Sequence, residues 1–106
     1  MPRPTRVVFP SVSARLAGLG ERLRAARQRR RVSQAELAVR IGVSRPTVIR
    51  LEQGDPNVAI GVLARVLAVL GLEADLDLPA ASDEPGRLLQ DRDLPRRTGP
   101  RARGRR

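Results

Sequence analysis

Val32-Ser33-Gln34-Ala35-Glu36-Leu37-Ala38-Val39-Arg40-Ile41-Gly42-Val43-Ser44-Arg45-Pro46-Thr47-Val48-Ile49-Arg50-Leu51-Glu52-Gln53-Gly54 holds two helix starts and two helix stops in one short run. Ser33 can accept from the Glu36 N–H while Glu36 reaches back to Ser33, which is a capping box. Val32 and Leu37 flank it at staple spacing. This helix is short and ends at Gly42, a residue that tolerates left-handed backbone. Ser44 caps the next helix, with Val43 and Val48 as its staple. Pro46 falls in the first turn, where a missing N–H costs little. The second helix of the pair ends near Gln53-Gly54. Leu37, Ala38 and Ile41 share one inner face; Val48 and Leu51 share the other. Two capped helices joined at Gly42-Val43-Ser44 make a helix-turn-helix over about residues 34–53.

Working outward, Ser13 can cap an earlier helix that runs to about Arg30. Leu16, Leu19, Leu23 and Ala26 recur at three- and four-residue steps along it. Arg22, Arg24, Arg27 and Arg29, Arg30 and Arg31 cover the rest. One or two would suit a helix C-terminus; this many predicts a phosphate-contact surface that includes Arg24 and Arg27. Residues 1–13, with three Pro and Val7-Val8-Phe9, read as an arm with one brief strand. A fourth helix is predicted from Ile60 to Leu70, with Ile60, Leu63, Ala64, Leu67 and Leu70 on one apolar face. Val62, Val66 and Val69 form a second face. A helix apolar nearly all round needs cover on two sides, so the second face is assigned to another subunit. Residues 72–78 alternate apolar and acidic, the pattern of a half-buried strand. Its Leu72, Ala74, Leu76 and Leu78 join the expected dimer interface. The strand needs a partner, either Arg6 to Phe9 or the same segment of a second copy. Residues 79–106 are rich in Pro, Gly and Arg and are expected to be disordered, apart from a helical turn over residues 86–92. The expected organisation is an arm over 1–13, a domain over 14–78 and a tail over 79–106.

Composition narrows the chemistry. The chain has 106 residues and a formal net charge of +10, with all 21 basic residues Arg. Residues 14–54 carry +7, residues 55–86 carry −5 and residues 87–106 carry +6. A polyanionic partner is the first expectation, and the acidic middle separates two basic surfaces. There is no His, Cys, Lys, Tyr or Trp. That removes most nucleophiles, the commonest general base and the usual zinc ligands. An enzyme is not expected, and nothing asks for a cofactor or a metal. No apolar run reaches about 18 residues and no signal peptide is evident. With no disulfide framework, the expected place is the cytoplasm, on the nucleoid.

Helix three of this scheme is the expected reader. Recognition helices aim their N-terminal residues at base edges. Arg45, Pro46 and Thr47 lie in its first turn and Arg50 one turn on. Either Arg could take guanine O6 and N7 as a pair, and the residues alone do not say which. Gln34 and Ser44, at helix starts, are expected at phosphates. Glu52 is as suited to pairing with an Arg as to touching DNA.

Residues 19–71 resemble the Cro/lambda-repressor-like (XRE-type) helix-turn-helix family. The segments that carry this are Leu23-Arg24-Ala25-Ala26-Arg27, Ser33-Gln34-Ala35-Glu36-Leu37-Ala38, Ile41-Gly42-Val43-Ser44 and Ile49-Arg50-Leu51-Glu52-Gln53-Gly54. The resemblance implies a mainly α domain of four or five helices, dimeric on a two-fold operator. It also implies DNA-contact positions at Gln34, Arg45, Pro46, Thr47 and Arg50. Gly54-Asp55-Pro56-Asn57-Val58, the apolar fourth helix and residues 72–78 are similar to HipB-like antitoxins. That group pairs its C-terminal β-strand across the dimer, represses its own operon and binds a HipA-like kinase toxin. Pro46 departs from the polar or small residue common there. Ala59 replaces the usual Ser cap of helix four.

The first expectation is thus a dimeric, autoregulating repressor that serves as an antitoxin. Two others stand beside it. One is a module that neutralises a protein partner through the acidic middle and the tail. The other is a nonspecific nucleic-acid-binding basic protein. Phe9 is the only aromatic residue, so base stacking on aromatic platforms is not available for single strands.

Overall fold

A proline opens the first helix. The computed structural model describes residues 9–92. Within them α1 runs Pro10–Arg29, with extended Phe9 before it and no side-chain cap. The ring fixes φ where the N–H has no helical partner anyway, so the helix begins ahead of the expected cap Ser13. Residues 10–13 of the expected arm are therefore helical. Val7 and Val8 of the expected strand lie outside the described residues. At its other end α1 closes through Arg31, whose φ is 55°. The Val32 N–H reaches back to the Arg27 carbonyl at 3.3 Å and the Arg31 N–H to Gln28 at 2.9 Å. This is a left-handed cap made without glycine.

The central pair forms as its caps dictate. α2 spans Gln34–Ile41 and α3 spans Arg45–Glu52. Ser33 Oγ accepts the Glu36 N–H at 3.0 Å, and Glu36 Oε1 accepts the Ser33 N–H at 2.8 Å. These bonds, with Arg40 nearby, hold the Glu36 carboxyl below its ordinary range. Gly42 has φ 74° and the Val43 N–H donates to the Ala38 carbonyl at 3.0 Å. A Cβ at Gly42 would meet nothing, so its backbone angle alone asks for glycine. Ser44 Oγ accepts the Thr47 N–H at 3.4 Å.

α4 covers Ile60–Val69 and has no side-chain cap at Ala59. Its inner face is the predicted one only in part, with Leu67 and Leu70 buried as expected and Leu63 packed against the core. Val62, Val66, Leu67 and Leu70 are buried, while Ile60 is 77% exposed. Val62 and Val66, assigned above to a second subunit, are instead consumed by the chain's own core. They pack with Leu23 and Ala26 of α1, Leu37, Ala38 and Ile41 of α2, and Val48 and Leu51 of α3. Val69 and Leu72 are half-buried against the same cluster. Each buried Leu, Ile or Val is worth about 1.5–3 kcal/mol, so this one cluster dominates the stability of the domain.

The expected strand is absent. Glu73–Asp77 is a short 3₁₀ helix, and no strand occurs among the described residues. Alternation describes a strand only when a second strand supplies ladder partners; alone, the backbone closes locally, as in the 3.0 Å Asp75 N–H to Leu72 carbonyl bond. Ala74, Leu76 and Leu78 are exposed. The chain divides into two compact units, Met1–Leu76 and Asp77–Arg106. The second holds α5, Glu84–Arg92, in a segment whose composition suggests only a turn of helix. Asp83 Oδ1 accepts the Gly86 N–H at its start, at 3.0 Å. Leu88 and Leu89 are exposed on it.

Two glycines of α1 behave oppositely. A Cβ on Gly20 would collide with the Glu52 carbonyl and stand 2.9 Å from that of Leu51, so α1 lies directly on the backbone of α3. A Cβ on Gly18 would meet only the mobile end of Arg22, at 3.3 Å. Gly18→Ala should therefore stabilise by up to about 1 kcal/mol through helix propensity. Gly20→Ala should destabilise by about 1–3 kcal/mol through overpacking. Urea unfolding of both variants checks the opposite signs.

Candidate nucleic-acid interface

Arg27 meets Glu52 inside the domain. Nε lies 2.6 Å from Oε2 and Nη2 lies 3.0 Å from Oε1, a two-pronged pair. The side chains are only 8% and 5% exposed. Nη1 donates to the Val32 carbonyl at 2.8 Å, just ahead of the α2 cap. Gln34 Nε2, at the start of α2, donates to Glu52 Oε1 at 3.0 Å. One carboxylate thus ties α1, α2 and the end of α3. Arg27 was expected at a phosphate; it is buried and committed within the fold. The sequence showed an Arg on a helix dense in Arg. It could not show that this one faces a glutamate 25 residues on.

Fixing the end of α3 from within leaves its outer side for contact. Arg45, Pro46 and Arg50 are exposed, and Thr47 is half-buried. Arg45 Nη2 approaches Gln34 Oε1 at 3.5 Å. Arg50 Nη2 donates to Thr47 Oγ1 at 3.2 Å. Thr47 Oγ1 also shares a hydrogen bond with Ser44 Oγ at 3.0 Å. The structure therefore brings Gln34, Ser44, Arg45, Thr47 and Arg50 into two linked sets at the start of α2 and along α3. Gln34 is half-buried and partly occupied by Glu52. Ser44 and Arg24 are exposed, Arg24 on α1. Arg30 differs from its neighbours, because Nη1 caps the Ala26 carbonyl at 2.8 Å.

Sequence reasoning passed over Asp55. Its Oδ2 lies 3.9 Å from Arg50 Nε, and its Oδ1 accepts the Asn57 N–H at 2.8 Å. An acid directly after the basic helix α3 was the available signal. Gly20 was passed over too, although a glycine inside a helical pattern often marks close packing.

Short capped helices, a left-handed glycine turn and an exposed basic α3 are the parts of a DNA-reading motif. The helix-turn-helix domain family matches the sequence over residues 18–78. The chain belongs to that family. Double-stranded DNA is the partner such a domain implies. The match takes in the helix-turn-helix protein from within α1 to just beyond the 3₁₀ helix, more than half its length. It reaches the domain and not the narrower HipB-like group. No curated protein matches the sequence closely enough to count as a relative. No helix among the described residues is long and apolar enough to cross a membrane.

The Arg27–Glu52 pair gives a direct test. Glu52→Ala leaves a buried guanidinium without its counter-charge and should cost about 3–5 kcal/mol. Replacing both by apolar residues, Arg27→Met with Glu52→Leu, should recover most of that loss. Urea denaturation of the three proteins decides it; a single variant as stable as the parent would remove the pair's role.

Proposed function

We propose that the protein is a sequence-specific transcriptional repressor that acts as a dimer on its own promoter. The observation that carries this is the outer side of α3. Arg45 and Arg50 stand exposed on a helix whose cap and far end are both anchored. Arg on such a helix suits guanine edges in the major groove. Exposed Arg24 and Ser44, with Gln34, supply phosphate contacts that set the register. The reading gives the chain no catalytic step.

A dimer would set two copies of α3 in successive major grooves, about 34 Å apart. Val62 and Val66 are no longer available for it. Val69, Leu72, Ala74, Leu76 and Leu78 remain, the last three exposed. In a dimer, residues 72–78 could meet the strand partner that one copy does not offer. The antitoxin role adds a HipA-like kinase as partner. Its support is the resemblance of residues 54–58 and the apolar α4 to the HipB-like group, and it requires such a kinase to co-purify with the chain. The charge of +10 favours one rival, nonspecific binding to any duplex.

Binding to DNA from upstream of the gene, against a shuffled duplex across a salt series, separates these. The specific duplex should bind about a thousand-fold tighter at physiological salt, and Arg45→Ala should lose much of that ratio. Equal binding to both duplexes, with only a steep salt slope, would leave charge as the whole explanation.

A further inference from the structure

Arg50 is hydrogen-bonded on one side and faces a carboxylate on the other, and each of those neighbours is itself held. Behind it on α3, Thr47 Oγ1 accepts from Nη2 at 3.2 Å while bonded to the cap hydroxyl of Ser44. Beyond the helix, Asp55 Oδ2 faces Nε at 3.9 Å. The other oxygen of Asp55 is engaged by the Asn57 N–H, an Asx turn. Its own N–H donates to the Arg50 carbonyl at 3.0 Å. Ahead of it, Gly54 has φ 80°, and a Cβ there would stand 2.7 Å from the backbone of Leu16 and Ala17. The loop that carries Asp55 is thus seated on α1 and cannot follow the Arg outward. Arg45 has a looser tie, the single 3.5 Å approach to Gln34.

We infer that Asp55 and Thr47 are positioning residues that fix Arg50 as the guanine reader of α3. The inference rests on the DNA-reading role proposed above. A free Arg on a helix surface samples many rotamers and gives up that freedom when it binds a base. Here the guanidinium is oriented in advance from the Nε and Nη2 side. Nη1 and the second Nη2 hydrogen remain as a fork for O6 and N7 of guanine. The Arg50 side chain is 51% exposed and that of Asp55 26%, so about half of the Arg50 side chain stays open to a partner despite its two neighbours. A carboxylate at a DNA surface also repels phosphates. Asp55 should therefore lower affinity for every duplex while sharpening the choice among them. Those two effects have opposite signs, and this separates positioning from simple charge.

The test uses a duplex enriched by the wild-type protein from a random-sequence library, its single-base-pair variants and a shuffled duplex, all at one salt concentration. Asp55→Asn keeps a side-chain oxygen for the Asn57 turn and removes the charge that faces Arg50. Arg50→Ala should lose about five- to 150-fold of discrimination at one guanine. Asp55→Asn should lose about two- to fivefold at that same base pair, the size of an exposed ion pair. Its binding to shuffled duplex should be tighter. Adding Asp55→Asn to Arg50→Ala should cost no further discrimination. Thr47→Val should share the defect and Thr47→Ser should not, with thermal midpoints checking that each variant folds. The inference is overturned if Asp55→Asn keeps the wild-type ratio at every base pair, or weakens all duplexes equally. If the library yields no enriched sequence, the DNA-reading role itself fails, and the inference with it.

Discussion

The Arg27–Glu52 pair sets what every other part of the domain can do. It joins the last turn of a long helix to the end of a short one and takes in the start of α2 through Gln34 and Val32. A buried ion pair is seldom a net source of stability, because desolvation offsets most of the attraction. Stability comes from the apolar cluster between α1, α2, α3 and α4. Apolar packing, however, tolerates small slides of one helix on another, and a two-pronged Arg–carboxylate pair does not. With α1 lying on the α3 backbone at Gly20, the pair leaves α3 one seat. That seat decides which of its residues face outward.

Function follows from what the pair removes as much as from what it holds. It withdraws Arg27 and Glu52 from the surface, so the far end of α3 carries no exposed acid of its own. Arg30 is occupied in capping α1. The outer side of α3 is left with Arg45 and Arg50, each approached by a neighbour from within the domain. Reading of this kind depends on orientation. The unoriented part of the charge, spread over the rest of the basic residues, supplies attraction to any duplex and fades with salt.

Much of this was legible in the sequence where the physics is local. Ser33 with Glu36, Ser44 before Pro46, and Gly42 between them declare two short helices, because each cap is settled within a few residues. The exposure of Arg45, Pro46 and Arg50 on the outer side of α3 followed from those caps. Contacts at long range were not legible in the same way. Arg27 looks like its exposed neighbours, and only the folded chain shows that it meets Glu52. Val62 and Val66 looked surplus on α4 because the true depth of the core, and the exposure of Ile60, depend on how the helix is rotated. Residues 72–78 show the limit of periodicity. The alternation is real, but a strand is a property of two segments, and the single chain closes this one as a 3₁₀ helix.

The central claim is that α3 enters the major groove and reads guanine with an arginine. Methylation interference on a bound duplex tests it most directly. Guanine N7 lies in the major groove and adenine N3 in the minor. The account predicts that methyl groups at N7 of particular guanines, in two clusters one helical turn apart, block binding, and that Arg50→Ala becomes indifferent to one of them. Interference confined to adenine N3, or none at any guanine, would contradict it.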